Sequence, residues 1–140
     1  MILDHNKNPR NYGDLPSHTH SSEGYNPLCG DHYHVYLIMD GDTIKDIHFA
    51  GTGCAISKAS ASVMTTLLKG KTRAQAEDLF KQFHDLVTSP VEQTPDEDAL
   101  GKLAVFAGVR EYPSRVKCAS LAWHTMKAAV DKNGQAVSTE

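Results

Sequence analysis

Four residues carry most of the chemistry this sequence offers: Cys29, Asp31, Cys54 and Cys118. They include every cysteine of the chain. A thiolate is both a soft metal ligand and a nucleophile, and a carboxylate is a hard oxygen ligand. Three thiolates and one carboxylate therefore complete a tetrahedral zinc shell, or the coordination of an iron–sulfur cluster. Each cysteine sits at a junction. Cys29 lies in the turn Pro27-Leu28-Cys29-Gly30-Asp31, Cys54 follows Gly51-Thr52-Gly53, and Cys118 falls near the predicted start of the last helix. Helix starts present unsatisfied N–H groups and a partial positive charge, which favour thiolate at Cys54 and Cys118. Lys117, and Arg115 one helical turn before Cys118, add positive charge. Gly30, Gly51 and Gly53 let backbone approach a bulky metal group. The spacing itself says less, because there is no CxxC pair. Two other readings fit the same residues: one catalytic cysteine with unrelated companions, or three small buried hydrophobes and no site.

Other polar residues point less clearly to chemistry. His18-x-His20 and His32-x-His34 resemble ligand pairs, but neither has a carboxylate or cysteine at helical spacing. His32 and His34 are expected to share one strand face, solvated rather than ligating, and His48, His84 and His124 to lie on the surface. Ser57, Ser60, Ser62, Thr65 and Thr66 show no G-x-S-x-G elbow and no pairing with histidine, so they are read as small residues that let helices pack closely.

The elements that must position the four residues follow from the pattern. Residues 8–30 are dense in turn formers and read as irregular chain, though a third strand could come from the region before Cys29. Tyr33–Met39 and Thr43–Phe49 flank Asp40-Gly41-Asp42 and predict a β-hairpin. Ala55–Lys69 carries apolar residues at near-helical spacing, with Gly70 as its C-cap. Thr72-Arg73-Ala74-Gln75 predicts a capping box opening a helix that ends at Ser89-Pro90. Val91–Asp98 reads as an acidic loop, Ala99–Val109 as a helix, and Ser114–Lys132 as a last helix after Tyr112-Pro113. Strands first and helices after predict an α+β fold, a small antiparallel sheet of about three strands packed on one face by helices.

The 140 residues suit a single domain, 1–140. A net charge of −3 without a Lys/Arg cluster argues against nucleic acid. No apolar run approaches the roughly 18 residues that span a bilayer, and no signal peptide heads the chain. An odd cysteine count argues against a secreted disulfide scaffold. A cytoplasmic protein with no membrane partner is expected.

Five ordered blocks carry a family resemblance. They are Ile2-Leu3-Asp4-His5 with Asn8-Pro9-Arg10-Asn11; Asn26-Pro27-Leu28-Cys29-Gly30-Asp31; Gly51-Thr52-Gly53-Cys54-Ala55-Ile56-Ser57; Ala59-Ser60-Ala61-Ser62; and Arg115-Val116-Lys117-Cys118-Ala119. Together they resemble the NifU/IscU family of iron–sulfur cluster assembly proteins, over roughly residues 2–131. Within it the chain looks most like the SufU branch, whose members carry extra residues between the second and third cysteines. The Leu-Pro-Pro-Val-Lys segment that scaffold-type members offer to a dedicated Hsp70 chaperone is replaced by Tyr112-Pro113-Ser114-Arg115-Val116-Lys117. Lys117 stands where IscU proteins have histidine. Family members usually carry another helical stretch ahead of Ile2, through which partners dock.

The resemblance implies a SufE/NifU-like sandwich, with Cys29, Asp31, Cys54 and Cys118 as ligands of zinc or of a [2Fe–2S] cluster. It implies a SufS-like cysteine desulfurase as partner, and downstream assembly or acceptor proteins. The expected function is a zinc-bound sulfurtransferase in which Cys29 leaves the metal, a desulfurase histidine takes its place, and Cys29 accepts persulfide sulfur. Asp31 would tune ligand exchange, and Arg115 and Lys117 would support a net negative site. The alternatives are a non-enzymatic scaffold on which a [2Fe–2S] cluster is built, and a structural zinc-binding interaction domain.

Overall fold

The computed structural model describes residues 2–26, 30–90, 101–131 and 137–138. Strands β1 (His20–Asn26), β2 (Asp31–Asp40) and β3 (Thr43–Thr52) form an antiparallel sheet. A two-residue strand β4 (Val137–Ser138) adds to β1 in parallel, giving the order β3-β2-β1-β4. Helices α1 (Ile2–Lys7), α2 (Ala55–Leu68), α3 (Arg73–Thr88) and α4 (Pro113–Val130) complete the fold, with a 3₁₀ helix at Gly101–Glu111 between α3 and α4. This is the expected α+β arrangement. The acidic segment expected at Val91–Asp98 lies outside the described residues.

The hairpin forms as the Asp-Gly turn dictates. Along β2 the odd positions Tyr33, Val35 and Leu37 are buried against the helices, whereas His32, His34, Tyr36 and Ile38 face outward. That two-residue alternation marks a sheet with one covered face. His32 and His34 do share the outer face. β1 is the third strand and corrects the irregular reading of residues 20–26. Its serines, glycine and asparagine hide a strand whose buried side holds Ser22, Gly24 and Asn26 rather than large apolar residues.

The helices pack through an aromatic core. Trp123 stacks on Phe83 at 4.8 Å and 13°, and Phe106 meets Phe83 edge-on at 5.7 Å. The Trp123 indole N–H donates to Ser60 Oγ (3.1 Å), and that hydroxyl donates to the Ala119 carbonyl (2.6 Å). The small polar residues of α2 therefore permit close packing and also fasten the helices. Ser62 Oγ accepts from the Arg10 backbone N–H at 2.8 Å and pairs with buried His5 at 2.7 Å, which pins the N-terminal segment to α2.

Thr72 and Gln75 form the capping box. Gly70 follows the last turn of α2 with φ +85°, the left-handed glycine expected to close it. Two features differ from expectation. The segment before α4 is a 3₁₀ helix because its apolar residues recur every three positions. Leu103, Phe106 and Val109 fall on one edge at three residues per turn, and all three are buried. His124 is half-buried rather than on the surface, edge-on to Phe80 at 5.1 Å.

Candidate metal centre

The site stands at one end of the sheet, where β2 begins, β3 ends, α2 presents its first turn and α4 its first two. Asp31 opens β2 and points inward, 1 % exposed. Cys54 is the N-cap of α2, in extended backbone with φ −71° and ψ 168°. Its Sγ accepts the Ser57 backbone N–H at 3.5 Å, so the sulfur takes the place a serine or aspartate oxygen fills in other helix caps. Cys118 is fully buried. It is the sixth residue of α4 rather than at its start, beyond the first turn in which the helix dipole acts. The helix-start position expected of both cysteines therefore belongs to Cys54 alone.

One ligand atom from each of Asp31, Cys54 and Cys118 lies within 4.8 Å of the other two. A tetrahedral zinc with sulfur ligands at about 2.3 Å separates its donors by roughly 3.8 Å, so the three fit one ion. The donor chemistry fits too. Asp31 Oδ1 accepts the Cys54 N–H at 2.9 Å, but Oδ2 is buried with no hydrogen-bond partner among the described residues. A buried carboxylate oxygen without a partner is costly, and a cation satisfies it. Cys29 lies outside the described residues, one position before Gly30 and two before Asp31.

Arg115 sits exposed beside both sulfurs. Negative charge on Cys54 and then on Cys118, with hydrogen bonds to the two sulfurs, holds its guanidinium even more firmly charged than usual. Lys117 is exposed on the same helix, adjacent in sequence to Cys118 and so about 100° around the axis from it.

The sequence reading did not single out the floor of the site. Tyr33 is buried beneath it and hydrogen-bonds Ser57 Oγ at 2.9 Å. Ser57 gives its own proton to the Cys54 carbonyl at 3.0 Å, so the phenol is the donor to Ser57. Burial, opposed in part by that bond and reinforced by Asp31 and Cys54, pushes the Tyr33 pKa well up and keeps the phenol neutral. Gly53 sits against this floor. A Cβ there would run into the Tyr33 hydroxyl, Ser57 Oγ and Asp31 Oδ1. Gly51 has φ +139°, and a Cβ would strike the His32 carbonyl. The signal in the sequence was the Gly-Thr-Gly-Cys run, which marks close approach without saying to what.

The fold and site define a class, and comparison with known proteins agrees. Residues 1–119 match the family model of the NifU-like N terminal domain, and the chain belongs to that family. It is 39% identical over 132 residues to a protein of Bacillus subtilis named zinc-dependent sulfurtransferase SufU, covering 94% of this chain and 88% of that one. It is 37% identical over 136 residues to one of Streptococcus pyogenes named iron-sulfur cluster assembly scaffold protein IscU, covering 97% and 84%. Among solved structures, a putative iron-sulfur cluster assembly scaffold protein for the SUF system from Fervidobacterium islandicum superposes with a TM-score of 0.83 at 37% identity, covering 92% of this chain and 93% of that one. No helix among the described residues is long and apolar enough to cross a membrane.

Proposed function

We propose that this chain is an iron–sulfur cluster assembly protein that holds zinc through Cys29, Asp31, Cys54 and Cys118 and accepts persulfide sulfur from a cysteine desulfurase. The observation that carries the reading is the buried carboxylate of Asp31, whose Oδ2 has no partner among the described residues and which brings an oxygen within 4.8 Å of two cysteine sulfurs. The B. subtilis relative named as a zinc-dependent sulfurtransferase supports the choice of metal and reaction.

Zinc, when bound, supplies the positive charge that keeps its sulfur ligands as thiolates. The chain does the rest. The Cys54 N–H and the Tyr33–Ser57 floor hold Asp31 and Cys54 in place. Arg115 offsets the negative charge gathered at the mouth. Cys29 is the acceptor. Its thiolate attacks the terminal sulfur of the desulfurase persulfide, a new S–S bond forms on Cys29, and the desulfurase S–S bond breaks. The desulfurase cysteine leaves as a thiolate, the proton on the transferred sulfur stays with it, and nothing is oxidised or reduced overall.

The test is desulfurase turnover with wild-type protein and with Cys29→Ser. Stimulation by the wild type, loss of it in the variant, and a mass gain of one sulfur atom on Cys29 are expected. Stimulation retained by Cys29→Ser overturns the acceptor role.

A second reading is favoured by the donor set, which suits a [2Fe–2S] cluster as well as zinc. In that reading the chain is the scaffold on which the cluster is assembled and from which it passes to acceptor proteins. A stable cluster after iron and sulfide loading, transferred to an apo-protein, selects it. If zinc removal unfolds the chain and neither activity appears, the site is structural.

A further inference from the structure

The outer face of the sheet gathers a second set of ligating atoms that contains no cysteine. Glu23 on β1 stands opposite His34 on β2, and His32 lies two residues back on the same face. Both imidazoles aim at one oxygen: His34 Nε2 is 2.9 Å and His32 Nε2 3.4 Å from Glu23 Oε2. One ligand atom from each residue lies within 4.8 Å of the other two. The His34 ring is braced from one side by Tyr36, nearly parallel at 12° and 6.0 Å. The sequence did not disclose this group because its carboxylate comes from another strand, at a place set by sheet register.

We propose that Glu23, His32 and His34 form a second cation site, taking a late first-row divalent ion such as zinc, copper or nickel. Imidazole nitrogen with one carboxylate suits those ions, whereas magnesium and calcium prefer all-oxygen shells. A tetrahedral ion with ligands at about 2.1 Å spaces its donors by roughly 3.4 Å; the His32 pair matches that spacing, and the His34 pair, at 2.9 Å, needs a small opening. The ligands are half-exposed, with side-chain exposures of 41–53%. The ion's remaining positions therefore face solvent and hold water or an exchangeable ligand. The site is distinct from the thiolate centre even though His32 follows Asp31 directly, because successive strand residues point to opposite faces.

The test is equilibrium dialysis of the full chain against micromolar free zinc, followed by elemental analysis. Wild type should bind one equivalent more than His32→Ala/His34→Ala. Glu23→Gln, which preserves the strand pairing, should hold that equivalent about tenfold or more weakly. Cys54→Ser should leave it in place. Cobalt added to Cys29→Ser/Cys54→Ser/Cys118→Ser, which has no thiolate left, should broaden the NMR signals around Glu23, His32 and His34 without sulfur-to-metal charge-transfer absorption. Equal zinc uptake by wild type and the double variant, or cobalt broadening centred elsewhere, overturns the proposal.

Discussion

The backbone N–H of Cys54 donates to Oδ1 of Asp31 at 2.9 Å, joining the start of α2 to the start of β2. One oxygen of the carboxylate is thus spent on structure, and the other is buried with no partner among the described residues. If Asp31 holds the proposed zinc, its two oxygens would give it opposite effects on the metal-free and metal-loaded forms.

Asp31→Asn should separate them. Without metal, the variant removes a buried charge and is expected to be as stable as wild type or more stable, by up to about 1–3 kcal/mol. With zinc, it is expected to bind about tenfold or more weakly. Urea midpoints with and without chelator, together with a competition titration, read both. A variant less stable than wild type in chelator and unchanged in zinc affinity would contradict the assignment.

Gly53→Ala should injure the centre while sparing the rest of the fold. The added methyl meets Tyr33, Ser57 and Asp31 together, all of them side-chain oxygens of the site floor. Zinc affinity is expected to fall while circular dichroism stays native. Gly51→Ala should instead cost global stability, since its backbone is left-handed and the obstacle is the His32 main chain.

Ser60→Ala should destabilise by about 1–3 kcal/mol, because it strands the Trp123 indole N–H in the core and removes the bond from α2 to the Ala119 carbonyl. The same hydroxyl fixes α4 one residue beyond Cys118. Zinc affinity is therefore expected to weaken alongside the urea midpoint.

His124 makes stability depend on pH. Burial first, then the nearby charges of His84 and Lys127, lowers its pKa from 6.5. The folded state therefore binds fewer protons than the unfolded state just below that value. Stability is expected to be full above the ordinary histidine range and to fall with acidification, until the folded-state pKa is passed. Urea midpoints at neutral and mildly acidic pH check this, and His124→Gln should flatten the slope.

The hairpin, α2, α3 and α4 were legible because each carries its own local signal: Asp40-Gly41, the closing Gly70, the Thr72–Gln75 box and the Tyr112-Pro113 break before α4. β1 was obscure because it buries small and polar residues, so no apolar alternation announces it. The 3₁₀ helix departs from the expected helix because Leu103, Phe106 and Val109 suit both a loose helical period and a strict period of three. At the metal centre, residue types and junctions pointed to Asp31, Cys54 and Cys118. Their proximity, however, depends on β2–β3 register and α2–α4 packing, which no local pattern encodes. Glu23 was invisible as a ligand for the same reason.

The alternation along β2 couples the two faces of the molecule. Asp31 belongs to the sulfur-rich interior and His32 to the imidazole-bearing exterior, with one peptide bond between them. A single-residue deletion or insertion at this point would exchange their roles, offering nitrogen to the cysteines and oxygen to the open surface. Strand phase here acts as a chemical selector, and mutation cannot rewrite one side of this end of the strand in length without rewriting the other.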